Sequence, residues 1–181
     1  MSRRYRKQKE ITYLDLRVGG GVPLFVNRKM LNKMSDALKW CCEKRGLRIY
    51  EYVILPDRIL LMANVAWGTL PETVAGFKKF TSKAIILMLR RGQKNLDQSW
   101  VIPVLQECSG NNDPDGIIIW DENDRSRSLY EQKQVDEHAL FIHNSPIKSG
   151  LVEKPNHYYY SSANPRNPLD GWQVAVTDRG I

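Results

Sequence analysis

The stretch LRIYEYVILPDRILLMANV, residues 47–65, constrains the fold more than any other part of the chain. Two β-rich apolar runs, LRIYEYVIL and RILLMANV, are separated only by Pro56-Asp57. Proline presets the backbone for a tight turn and Asp favours turn positions, so the second run returns antiparallel to the first. An isolated hairpin is marginal in water, and one this apolar must be buried by other elements. The chain therefore needs a sheet with helices laid over it.

The flanking sequence supplies those pieces. ITYLDLRV alternates and is β-rich, so a strand is expected over about residues 11–18, followed by a glycine-proline turn in GGGVPLF. Asn27 can cap a helix running to about Arg45, with Met30, Met34, Ala37, Leu38 and Cys41 on one face and Gly46 closing it. A second helix is expected over about 70–91, with Pro71 at its start and Val74, Phe77, Ile85 and Leu89 on its apolar side. Residues 96–107 read as a short helix interrupted at Pro103 or as a strand, and CSGNNDPDG reads as a loop. IIIW, residues 117–120, reads as a buried strand leading through DENDRSRSLY to a helix over about 129–144 that ends near NSP. The expected organisation is a basic arm (1–10), one domain (11–165) and a Pro- and Asn-punctuated tail (166–181) that packs or swaps. This order of elements predicts an α+β fold, an antiparallel sheet covered by helices.

Composition narrows the classes. With 181 residues, 42% of them hydrophobic, the chain can bury a core of its own. No apolar run approaches the ~20 residues of a membrane-spanning helix, and the basic start is followed by no continuous apolar run of the secretory type. Cys41, Cys42 and Cys108 show neither a disulfide framework nor zinc spacing, so a cytoplasmic setting is expected. The net charge of +7 favours a polyanionic partner, since Lys and Arg placed on phosphates release condensed counterions.

Three segments together carry a resemblance. They are YVILPDRILLM, then FKKFTSKAI, then a C-terminal run with Phe141, Ile142, His143, Asn144, Ser145, Pro146, Ile147, Lys148, Gly150, Leu151, Val152 and Pro155, ending in Tyr160-Ser161-Ser162-Ala163. The chain resembles the single-tyrosine transposases of the HUH endonuclease superfamily, of the REP-associated and insertion-sequence group. Their signature runs Tyr-Ile-His-Asn-Asn-Pro-Val-Lys-x-Gly-Leu-Val, then Pro, then an aromatic-Ser-Ser-Ala. The resemblance implies a ferredoxin-like antiparallel sheet with helices on one face, a single domain and a homodimer. It also implies proteins of DNA transposition and recombination that recognise single-stranded or hairpin DNA.

The resemblance further implies a chemistry. Two His one residue apart on a strand point the same way and hold Mg or Mn, and a Tyr on the last helix attacks phosphorus to form a phosphotyrosine. The family's strand reads Pro-Asp-His-hydrophobic-His; this chain reads Pro56-Asp57-Arg58-Ile59-Leu60. Arg58 has donors only and Leu60 has no lone pair, so neither can ligate a metal. Phe141 stands at the Tyr position without the oxygen. No catalytic residues, no metal and no cofactor are therefore expected, and cleavage and joining are read as lost. Tyr130 and His143 are the candidates for a rearranged site, although side chains two apart on a helix, such as 141 and 143, diverge. His138 and His157 read as surface or capping histidines, and the HYYY run as a packed aromatic tail.

DNA binding is what the resemblance leaves. The family's Lys-Lys/Arg-x-Thr-Ser helix pattern falls on Lys78, Lys79, Thr81, Ser82 and Lys83, residue types that suit phosphates but also a solvated helix face. Arg3, Arg4, Arg6, Lys7 and Lys9 form a candidate phosphate-binding arm, and Arg58 a fixed cation in place of the metal. An active metal-dependent strand transferase or nuclease with a rearranged site, and a fold remnant without DNA affinity, stay open beside the non-cutting DNA binder.

Overall fold

In the computed structural model, residues 10–91, 100–108, 117–123 and 125–174 are described. Four strands, β1 (Ile11–Arg17), β2 (Leu47–Leu55), β3 (Arg58–Val65) and β4 (Arg125–Leu129), make one antiparallel sheet in the order β2-β3-β1-β4. The hairpin of β2 and β3 pairs from Leu55 opposite Arg58 out to Leu47 opposite Val65, with an irregularity between Ile49 and Glu51. The turn is tied down from outside, because the backbone N–H groups of Val18 and Phe25 donate to the carbonyls of Asp57 and Pro56.

Helix α1 (Arg28–Arg45) connects β1 to β2 across β3, and α2 (Leu70–Arg90) follows β3, which completes the ferredoxin-like α+β arrangement. Its boundaries follow from local chemistry. The Asn27 side chain accepts from the Met30 N–H at 2.9 Å, and Gly46 leaves the helix at φ 68°, a conformation that favours glycine. Thr69 caps α2, with Pro71 in its first turn. A short α3 (Val101–Cys108) resolves the ambiguity over 96–107 in favour of helix for its described part. Pro103 is tolerated because it falls in the first turn, where N–H groups have no partner within the helix.

The strand expected at IIIW is corrected. Among residues 117–120 only Trp120 pairs, in an isolated bridge to Val18, while Ile117 and Ile119 are buried in irregular backbone. The fourth strand is instead RSRSL, an exposed edge that carries no apolar alternation for a pattern to detect. The last helix, α4 (Gln132–Lys148), starts and ends later than expected. Pro146 does not stop it, since so near the end it forfeits only one intrahelical bond, and Ser145 Oγ donates to the Phe141 carbonyl beside it.

Strand alternation divides the core in two. Leu14, Leu16, Ile49, Tyr52, Ile54, Ile59, Leu61 and Ala63 face α1, α2 and α3 in the larger cluster. Ile11, Val53, Leu55, Leu60 and Met62 face Val135 and Ile142 of α4 in the smaller one. The expectation of helices on one face thus holds for α1, α2 and α3, and α4 covers the opposite face. The C-terminal segment runs along the free edge of β2, where Tyr52 and Ser162 exchange backbone and side-chain hydrogen bonds and Val174 N–H donates to the Ile49 carbonyl. Leu169, within the C-terminal tail, is fully buried. No helix among the described residues is long and apolar enough to cross a membrane.

Candidate nucleic-acid site

The three altered positions lie on the same side of the sheet. Arg58 and Leu60 alternate on β3 and so point to the α4 side, and Phe141 lies on α4 itself. Across the ladder, Arg17 stands opposite Arg58, Asp15 opposite Leu60 and Tyr13 opposite Met62. On the other side of β1, Arg125 stands opposite Asp15 and Arg127 opposite Tyr13. Directly opposed residues share a face, so Arg17, Arg58, Arg125, Arg127, Asp15 and Tyr13 all belong to this one surface.

Electrostatics organise the end that α4 leaves open. Asp15 is buried, and its Oδ2 accepts from Arg17 Nη2 at 2.6 Å and lies 3.9 Å from Arg58 Nη1. Its other oxygen, Oδ1, has no hydrogen-bond partner. Arg58 donates to Asp57 at 2.7 Å, and these bonds raise the guanidinium's pKa against the opposing effect of partial burial. Leu60 lies in the smaller core, 2% exposed, while Phe141 is 43% exposed with Lys148 Nζ 4.9 Å from its ring centre.

These residues do not fit the divalent metal that the resemblance implies. A cation between Arg58 and Arg17 would meet two fixed positive charges, and Asp15 Oδ2 and Asp57 Oδ2 already face guanidinia. Among the described residues no three His, Cys, Asp or Glu side chains stand together as a metal site. A substitute nucleophile is equally poorly served. Tyr13 packs against Phe141, ring centres 6.4 Å apart, but burial first and then Asp15 push its pKa up to about 12. Tyr130 is 70% exposed beside β4, whereas His143 is engaged at the opposite sheet edge, 2.7 Å from Glu51 Oε2 on β2 and 3.3 Å from Ser162 Oγ. They stand at opposite edges of the sheet, so these two do not form a joint site.

The helix residues singled out for DNA fall elsewhere. Lys78, Lys79, Ser82 and Lys83 ride on α2, across the sheet from Arg58. Thr81 is corrected to a packing residue: it is fully buried, donates to the Phe77 carbonyl at 2.8 Å and accepts from Trp120 Nε1 at 2.9 Å, which puts its hydroxyl beyond a phosphate's reach. Lys78 Nζ donates to the Asp121 carbonyl, and Lys78, Lys79 and Ser82 line a shallow cleft whose far wall carries Asp121 and Glu122. Arg3, Arg4, Arg6, Lys7 and Lys9 lie outside the described residues. Of the aromatic tail, Tyr160 is buried and Tyr158 donates to the Ile54 carbonyl, while Tyr159 is 48% exposed.

Sequence reasoning missed Asp15, Arg17, Tyr13, Arg125 and Arg127. The available signal was charge in the alternation of a strand, Asp15 and Arg17 in ITYLDLRV and two Arg in RSRSL.

Comparison with known proteins rests on structure. No protein-family profile and no curated protein sequence matches this chain. A solved REP-associated tyrosine transposase bound to a REP hairpin superposes with a TM-score of 0.60 at 15% identity, covering 92% of this chain and 84% of that one. A putative transposase from Deinococcus radiodurans R1 superposes with a TM-score of 0.45 at 14% identity over 72% of this chain and 87% of that one. The chain has the fold of the REP-associated tyrosine transposase.

Proposed function

We propose that this protein is a transposase-like DNA-binding protein that engages single-stranded or hairpin DNA on the α4 side of its sheet and holds it without cutting. The observation that carries this reading is the convergence of Arg58, Leu60 and Phe141 on one face, with a guanidinium network where a metal would stand. A fixed cation can neutralise a phosphate, but it supplies neither a Lewis-acid site nor an attacking oxygen. The basic balance of +7 supports a phosphate-bearing partner, and the solved neighbour of the same fold holds a REP hairpin. A homodimer, as the resemblance implies, belongs to the same reading.

The test is incubation of the protein with labelled hairpin DNA in Mg²⁺ or Mn²⁺, read on native and denaturing gels. Retardation without a nick or a covalent adduct is expected. A nick or adduct makes it a nuclease or strand transferase with a rearranged site, and absence of any shift makes it a remnant. Arg58→Glu should weaken hairpin binding by at least tenfold, because it replaces one cation by a third carboxylate beside Asp15 and Asp57; unchanged affinity and salt slope would remove Arg58 from the interface.

A further inference from the structure

We infer that the edge strand β4, through Arg125 and Arg127, supplies uncompensated positive charge to this face and is its principal phosphate-binding element. The inference rests on the DNA-binding reading and locates the contact. Charge bookkeeping within the site leads to it. Arg17 and Arg58 are matched one for one by Asp15 and Asp57, at 2.6 and 2.7 Å, so this quartet sums to zero. A polyanion approaching the quartet alone gains little, since each guanidinium would have to give up a carboxylate in exchange. Arg125 and Arg127 have no ion-pair partner among the described residues and are exposed. They point to the same face because they pair with Asp15 and Tyr13.

Geometry suits a nucleic-acid strand. Alternate residues on a strand lie ~6.8 Å apart and neighbouring strands ~4.8 Å apart. From Arg58 across β1 to Arg125 the backbone positions therefore span roughly 12 Å, a length over which one nucleic-acid strand carries about three phosphates. Tyr130, 70% exposed, follows β4 directly, and Phe141 is 43% exposed on the neighbouring helix. Exposed rings next to a basic track are the combination on which unpaired bases stack. Ser126 and Ser128 take the other face of β4, so both cations of RSRSL are spent on one side.

The simpler account of two arginines on an edge strand is protection against edge-to-edge aggregation. That role is indifferent to the sign of the charge, whereas phosphate binding is not, so sign separates the two. Fluorescence anisotropy of a fluorescein-labelled DNA hairpin with a single-stranded tail, titrated with the full chain over a range of KCl, reads affinity and salt slope together. Arg125→Gln/Arg127→Gln should weaken binding about 10- to 30-fold at 0.15 M salt and reduce the slope of log K against log salt by about 1.4–1.8, the release expected of two phosphate contacts. Arg125→Glu/Arg127→Glu should remain folded and monodisperse and bind more weakly still. If both double variants bind like the natural chain while Arg58→Glu binds weakly, β4 is only an edge guard and the DNA-binding reading stands without it. If Lys79→Gln/Lys83→Gln lowers the slope and the β4 variants do not, the interface is on α2 and the inference fails. If the natural chain itself does not bind, the underlying reading fails and the inference with it.

Discussion

The two faces of β3 receive the same backbone and do opposite things. Ile59, Leu61 and Ala63 point into a cluster sealed by α1, α2 and α3, whereas Arg58, Leu60 and Met62 point toward a single helix that covers only part of the sheet. On the sealed face apolar packing continues to the end of the strand. On the other, the row holding Arg58 and Arg17 is left to ion pairs and partial solvent contact. A site in this fold therefore needs no cavity; it arises where one helix stops short of the sheet's end. The same coverage decides how much each residue can lose before the fold fails.

The largest expected effect compares adjacent leucines. Leu61 is 1% exposed on the sealed face and Leu60 is 2% exposed on the other, so burial alone predicts equal costs. The surroundings do not. A cavity at Leu61 is enclosed by three helices and cannot collapse, whereas one at Leu60 borders the open row and can be filled by Tyr13 or Phe141. Leu61→Ala should cost about 4–5 kcal/mol and Leu60→Ala about 2–3 kcal/mol in urea unfolding. Equal losses would mean that α4 seals its face as tightly as α1 and α2 seal theirs.

Asp15 offers a sharper contrast, because stability and binding should move in opposite directions. Asp15→Asn removes the carboxylate that holds Arg17 and approaches Arg58, with an expected cost of about 1–3 kcal/mol. The same change frees a guanidinium for phosphate, so hairpin affinity should rise several-fold and the salt slope should steepen by about 0.7–0.9. An affinity that falls together with stability would show that Asp15 shapes the surface rather than neutralising it.

How much of this was legible in the sequence depends on how local each signal is. Asn27, Gly46, Pro56-Asp57 and Pro71 act on their own neighbourhood, and the elements they bound stand where the sequence places them. The alternation of Arg58 and Leu60 was readable for the same reason, a strand's period of two. Residues 117–120 misled because a short apolar run is equally compatible with a strand and with buried irregular backbone. β4 was missed because an exposed edge strand needs no apolar pattern. Asp15, Arg17, Arg125 and Arg127 meet Arg58 only through ladder register, which is set by pairing over more than forty residues of chain. Thr81 shows the converse limit: a hydroxyl on a lysine-rich helix turn reads as solvent-facing, and only the Trp120 indole reveals that it is buried.

The smallest expected effect uses alkaline pH to compare how dry the two faces are. Burial pushes Cys41 up to about 11 and raises Tyr52 on the sealed face, and it pushes Tyr13 up to about 12 on the other. A raised acid keeps its proton in the native state after the unfolded chain has given it up. Stability should therefore be level below about pH 9, where unfolded cysteine begins to ionise, and should decline as pH rises toward about 12. The share belonging to the open face begins only near pH 10, the ordinary tyrosine value, and ends near the value for Tyr13. Tyr13→Phe removes that share and leaves the decline due to Cys41 and Tyr52 and to Cys42 and Tyr158, which burial also raises. Urea unfolding at pH 8, 9.5 and 10.5 should thus give a shallower fall for Tyr13→Phe than for the natural chain between the last two points. An identical fall would mean that the Tyr13 phenol ionises as freely as one in water, and that α4 leaves the whole of its face wet.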